Sequence, residues 1–403
     1  MQTDPLPELY PVPGFRLGTT AAGIKTPGRP DLVVMALAPG SVCAAVFTRN
    51  AFCAAPVVVA REHLSGQQPA CLLVNTGNAN AGTGMAGIDD ARLCCERLAT
   101  QAGCVPQAVL PFSTGVIGES LPVDKIVSGM PDALAQLDEG GWAAAATGIL
   151  TTDTVPKGAS IKVEIDGQPV TITGIAKGAG MIRPDMATML AFIATDANIG
   201  LASLQDCLLL AVDRSFNRIT VDGDTSTNDA CVLVATGQAA TPVLEPGTRG
   251  YRQFSEALAE ICVQLAKAIV RDGEGATRFV TIAVEGGATS DECLQLAYTI
   301  AHSPLVKTAL FAGDPNWGRI LAAVGRAGIV DLDLSQVEIY LDEICIVRDG
   351  GRAADYTEAA GQQVMDRKEV TIRVVLNRGA CSEVVWTCDF SYDYVKINAE
   401  YRT

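Results

Sequence analysis

Short apolar runs and helix-spaced apolar stripes alternate along this chain, with Gly and Pro marking most of the breaks. Residues 14–48 hold three apolar runs divided by Gly and Pro, which predict three strands. A short helix over 56–64 precedes a buried strand at 70–74, and a helical pattern covers 88–102 after an Asn- and Gly-rich loop. Residues 108–112 predict another strand, Pro122 opens a helix to Leu137, and 141–150 reads as an alanine-rich helix. Ile161, Val163 and Ile165 alternate with polar residues up to Asp166-Gly167, and Val170, Ile172 and Ile175 form the return strand of a hairpin. The run 189–194 is short enough for a buried strand. Helices follow at 203–216, at 254–269 (the stripe Phe254, Leu258, Cys262, Leu265, Ile269) and at 291–302. Residues 222–234 run from a polar loop into a strand, and further strands are expected at 277–284, 337–341, 370–376 and 384–390, before a short tail. No repeat, low-complexity segment or linker interrupts the series.

The composition narrows the function class. Forty-eight per cent hydrophobic and 19 per cent charged residues over 403 positions describe a compact chain with a large core. A net charge of −15 argues against nucleic acid or an anionic membrane as partner. The first fourteen residues show neither a basic region nor an apolar core of a secretory signal, so a cytoplasmic protein is expected. The thirteen cysteines contain no C-x-x-C pair, which disfavours a disulfide framework or a zinc site. Only His63 and His302 could serve a Ser-His-Asp triad, and no G-x-S-x-G elbow occurs.

One stretch concentrates the chemistry. Lys177-Gly178-Ala179-Gly180-Met181-Ile182 is a glycine loop, Pro184 forbids a continuous helix, and Thr188 stands where loop becomes strand. A hydroxyl there is well placed as a fixed nucleophile, although from spacing alone a hairpin with a β-prone threonine is the simpler reading. A literal G-x-G-x-x-G at Gly82–Gly87 suggests a dinucleotide site. Two features count against it: Asn75–Ala81 intervene after the expected strand, and the next strand ends in Ser113-Thr114 rather than an acid for a ribose.

The block 177–182, with Pro184, Met186-Ala187-Thr188-Met189-Leu190 and Thr195-Asp196-Ala197, resembles the self-cleaving signature of the ornithine acetyltransferase family, the bifunctional arginine-biosynthesis proteins. The Asn-rich loop at 75–84, Phe112–Gly118 and Lys307–Arg319 are also similar to that family, in the same order. The resemblance implies an α+β fold with helices packed on two β-layers, an αββα-like sandwich. It implies self-cleavage between Ala187 and Thr188 into chains 1–187 and 188–403, co-folded as one unit, with Thr188 as nucleophile. An N-terminal threonine carries its own amine, which can take the hydroxyl proton. Thr114 and Gly115 match the oxyanion hole. Thr151, Lys177, Thr188, Glu274, Asn398 and Thr403 match substrate contacts: Lys177 suits a carboxylate and Glu274 an ammonium. The implied reaction moves acetyl from N-acetylornithine to glutamate by ping-pong chemistry, with no metal or resident cofactor and with acetyl-CoA as a second donor in some members. The implied assembly is a dimer of two-chain units. Two other readings remain at this point: an N-terminal-nucleophile aminopeptidase, and a nucleotide-binding regulator built on Gly82–Gly87.

Overall fold

The computed structural model describes residues 5–183 and 189–400. Thr188, Ala187 and Thr403 therefore lie outside the described residues. The chain forms two compact units, one from Asp4–Asn217 with Asp224–Ile269, the other from Arg218–Gly223 with Val270–Thr403.

The first unit begins with β1 (Phe15–Thr20), β2 (Leu32–Leu37) and β3 (Val42–Phe47), the three strands expected. It continues through α1 (Ala55–Gly66), β4 (Cys71–Asn78), α2 (Gly84–Ala102), β5 (Val109–Val116), α3 (Val123–Ala135) and α4 (Trp142–Gly148). Then come β6 (Lys157–Ile165), β7 (Gln168–Lys177), β8 (Leu190–Thr195), α5 (Leu201–Asp213), β9 (Ala230–Ala235) and α6 (Arg249–Arg271). One sheet has the order β1-β2-β4-β5 and the other β3-β9-β8-β7-β6.

The two sheets face each other. Val33, Met35, Leu72, Val74, Leu110 and Phe112 from the first share one buried core with Ile175, Leu190, Phe192, Val232 and Val234 from the second. Phe112 meets Phe192 edge-on across that core, with ring centroids 5.2 Å apart. On its outer face the first sheet packs Leu32, Val34, Leu73 and Val109 against Cys94, Leu98, Ile126 and Met130 of α2 and α3. Outside the second sheet, an added Cβ at Gly174 would touch Leu265 of α6, which shows how closely that helix lies on β7. This is the αββα sandwich the resemblance implied. The side-chain period accounts for it: every residue of β2, β8 and β9 is buried because both faces of those strands are covered.

The second unit contains β10 (Phe279–Gly287), α7 (Ser290–Ala301), α8 (Pro304–Ala312), α9 (Trp317–Gly325), β11 (Glu338–Leu341) and β12 (Ile344–Arg348). It ends with β13 (Gly351–Arg352), α10 (Glu358–Met365), β14 (Glu369–Val375), β15 (Cys381–Cys388) and α11 (Tyr392–Ala399). Its mixed sheet runs β13-β12-β11-β14-β10-β15. α8 and α9 occupy the family-like block, and both begin at caps: Ser303 accepts from Val306 N–H, and Asn316 accepts from Arg319 N–H. Lys307 in α8 is buried, donating to the Thr387 hydroxyl at 3.0 Å with its ammonium 4.5 Å from the Phe390 ring centre. The tail is a correction. Residues 392–399 form a helix, started by the Ser391 hydroxyl accepting from Tyr394 N–H, a cap that outweighs the weak apolar pattern after it. Among the described residues no helix is long and apolar enough to cross a membrane.

Candidate active site

β4 and β5 bring the first group of site residues together. Both run further than their apolar cores predict, because they pair in parallel through Asn75↔Ser113, Thr76↔Thr114 and Gly77↔Gly115. Thr114 and Gly115 therefore lie at the end of a strand that runs past residue 112, where the apolar run stops. Gly115 has φ +138, and a Cβ there would come within 2.3 Å of the Gly77 carbonyl carbon. No other residue fits so close to the neighbouring backbone.

The asparagines of the 75–84 loop support this corner. Ser113 Oγ donates to Asn75 Oδ1 at 2.6 Å, and Asn78 Nδ2 donates to the carbonyls of Glu119 and Ser120 at 3.2 and 3.0 Å. Asn228 Nδ2 bridges the carbonyls of Ala79 and Ser113 at 2.6 and 2.9 Å. Asn80 Nδ2 donates to Gly87 O at 2.8 Å, and Thr83 donates to Asn80 Oδ1 at 2.8 Å. The G-x-G-x-x-G at 82–87 is thus tied into its own loop. Residues 75–78 belong to the strand rather than the loop.

β7 supplies Lys177, paired with Leu190 of β8 in an antiparallel register. The residues between these two positions include the expected cleavage bond. Lys177 is buried, and its ammonium donates to Thr114 Oγ1 at 3.3 Å. It also stands 3.9 Å from Asp153 Oδ2. Asp153 accepts from Lys157 Nζ at 2.6 Å and from Gly178 N–H at 2.7 Å through Oδ1. Its other oxygen accepts from Thr151 N–H at 3.1 Å. Burial opposes the charge on Asp153, but Lys157, Lys177 and these hydrogen bonds outweigh it and hold the carboxyl well below the usual carboxylate range.

A second carboxyl near Lys177 behaves oppositely. Asp229 precedes Ala230, whose N–H donates to the Met189 carbonyl at 3.0 Å. It is buried, its Oδ2 has no hydrogen-bond partner among the described residues, and burial pushes its carboxyl well above the usual range against the pull of Ser226 and Lys177. Sequence reading assigned no role to Asp153 or Asp229. The polar run Thr225–Asp229 ahead of a strand was the one visible signal for the latter.

In the second unit Glu274 and Asn398 are brought together, with Asn398 Nδ2 donating to Glu274 Oε2 at 2.8 Å. The contact depends on Gly275, which has φ +68 and leaves room for only a hydrogen: a Cβ would be 2.4 Å from Tyr394 N. Ser391 Oγ donates to Gly275 O at 2.6 Å, tying the turn to the start of α11. Glu274 is buried although two glycines flank it. The structure thus assembles Thr114, Gly115, Thr151 and Lys177 in one cluster and Glu274 with Asn398 in another. Among the described residues, no group of three or more His, Cys, Asp and Glu could hold a metal ion.

The ArgJ family pattern matches residues 16–403. Two arginine biosynthesis bifunctional ArgJ proteins align over nearly the whole length. The one from Pseudomonas syringae pv. tomato is 58% identical, covering 99% of this chain and 98% of its own. The one from Methylococcus capsulatus is 61% identical, covering 98% and 97%. A crystal structure of the ArgJ protein from Bacillus halodurans is 40% identical with a TM-score of 0.49, covering 51% of this chain and 95% of that one. On the match over residues 16–403 and these identities, the chain belongs to the ArgJ family, the bifunctional proteins of arginine biosynthesis.

Proposed function

We propose that this enzyme transfers acetyl from N-acetylornithine to glutamate, with Thr188 as the nucleophile released by cleavage after Ala187. The observation that carries the reading is that buried Lys177, at the end of the strand before that bond, donates to buried Thr114, beside Gly115 at the end of β5. The α-amine of Thr188 takes the proton from its own hydroxyl, and Oγ attacks the acetyl carbonyl. Negative charge on the carbonyl oxygen is met by the Thr114 hydroxyl and the Gly115 N–H. Collapse expels the ornithine amine, which receives the proton, and leaves an acetyl ester on Thr188. The amine of glutamate then attacks that ester, and the regenerated hydroxyl and amine close the cycle.

Thr114 is suited to its part because its oxygen accepts from Lys177, which leaves its own hydrogen to donate. Lys177 with Thr151 binds the donor's carboxylate end, and Glu274 with Asn398 its ammonium. Thr403 completes the substrate contacts. Acetyl-CoA is a second donor, no resident cofactor or metal takes part, and the protein works in the cytoplasm as a dimer of two-chain units. An aminopeptidase or a nucleotide-binding regulator is less well supported, because the relatives are arginine-biosynthesis proteins and the 82–87 loop is satisfied internally.

The test is kinetic. With both substrates varied, double-reciprocal lines should be parallel, and N-acetylornithine alone should add one acetyl mass to the fragment that starts at Thr188. Intersecting lines with no trapped ester would replace this scheme with direct transfer in a ternary complex.

A further inference from the structure

Asp153 lies just beyond α4 in Thr151-Thr152-Asp153-Thr154, and its side chain is wholly buried. Its Oδ1 accepts from Lys157 Nζ at 2.6 Å and Gly178 N–H at 2.7 Å. Its Oδ2 accepts from Thr151 N–H at 3.1 Å and the Thr151 hydroxyl at 3.5 Å, and faces the Lys177 ammonium at 3.9 Å. One carboxylate thus gathers the turn after α4, the start of β6 4 residues on, and the end of β7 with its glycine loop 25 residues on.

If Asp153 served only to neutralise Lys157, a single oxygen would do. Its second oxygen is turned instead toward Thr151 and Lys177, both substrate contacts in the reading above. We propose that Asp153 is a positioning residue: it holds the Lys177 ammonium, the Thr151 hydroxyl and the Gly178 loop in one arrangement, and so sets the affinity for the donor's carboxylate end without touching the reacting bond. This inference rests on the acetyl-transfer reading. The physical basis is that an ionised carboxylate only accepts, so every neighbour must present a hydrogen and each has one place to do so. The groups are then fixed before substrate arrives, which lowers the ordering cost of binding.

Asp153→Asn tests it. An amide keeps one acceptor and introduces two donors, so whichever way it turns, an N–H₂ confronts either Lys157 and Gly178 or Thr151 and Lys177. KM for N-acetylornithine should rise about tenfold or more, in line with loss of one partner of a buried charged group, while kcat changes by less than about threefold. Asp153→Glu keeps the charge and balances both lysines but moves the carboxylate by a methylene. It should also raise KM, with far less effect on melting temperature than the Asn variant. A purely structural role predicts lowered melting with KM unchanged. KM within about twofold of wild type in folded Asn and Glu variants overturns the proposal. So does a fall in kcat with KM unchanged, which would place Asp153 at the reacting bond, and so does failure of both variants to fold. If the wild-type enzyme transfers no acetyl from N-acetylornithine, the underlying reading fails. If it does and the variants keep its KM, this inference alone fails.

Discussion

The ammonium of Lys177 donates to the hydroxyl of Thr114 at 3.3 Å, joining a strand end of one sheet to a strand end of the other. A cation that donates to a hydroxyl polarises it, so its hydrogen becomes a better donor to developing negative charge. The same ammonium lies 3.9 Å from the Asp153 carboxylate. Position and charge are therefore set by groups that need not react.

Thr114→Ala removes that hydroxyl and should slow acetyl transfer by about 10²–10³. The change deletes one polar group at a strand end, so melting temperature should move little. Near-normal turnover in a folded variant would assign the oxyanion hole to backbone N–H groups alone.

Denaturing mass spectrometry should find two polypeptides, 1–187 and 188–403, and Thr188→Ala should remain one chain. Under native conditions the fragments should stay together. β7 and β8 lie on either side of the bond and pair from Ile172↔Thr195 to Lys177↔Leu190, inside a shared core. An intact chain in active wild-type enzyme, or a cut at another bond, would remove Thr188 as nucleophile.

Glu274→Gln should lower kcat/KM for N-acetylornithine more than tenfold, because losing one partner of a buried charge pair costs about 2–5 kcal/mol. Donors with a neutral side chain should lose much less. Asn398 Nδ2 would still find an acceptor in the Gln side chain, so the local fold should persist. Equal losses on both donors would make Glu274 structural.

Asp229→Asn should stabilise the fold as pH rises. Burial raises the folded-state pKa of Asp229 well above its unfolded value near 3.9, so the native state binds the extra proton. Wild-type stability therefore falls as pH climbs from about 4 toward the folded pKa, and each unit crossed costs about 1.4 kcal/mol. The amide does not titrate. Chemical denaturation across that window should show a gap in favour of the variant that widens with pH, and a constant gap would show that Asp229 does not titrate in this environment.

Local pattern determined much of this protein. Alternation and helix spacing were enough to place β7, β8, α6 and α7, since each buries one face or both by rules that act over a few residues. The wording around Ala187–Thr188 and the Thr114-Gly115 pair named the chemistry through family resemblance. Tertiary structure decided the rest. β4 and β5 continue to Asn78 and Val116 because each supplies the other's hydrogen bonds, and their polar ends carry no strand-like pattern of their own. Helix α11 exists around a single cap and places Asn398 on Glu274, 124 positions away in sequence. The contrast between Asp153 and Asp229 is the clearest case. Both are buried aspartates near Lys177, yet one carboxyl is pulled below the usual carboxylate range and the other pushed above it. That difference depends on how many donors reach each carboxyl from other segments, and only the folded chain brings those donors together.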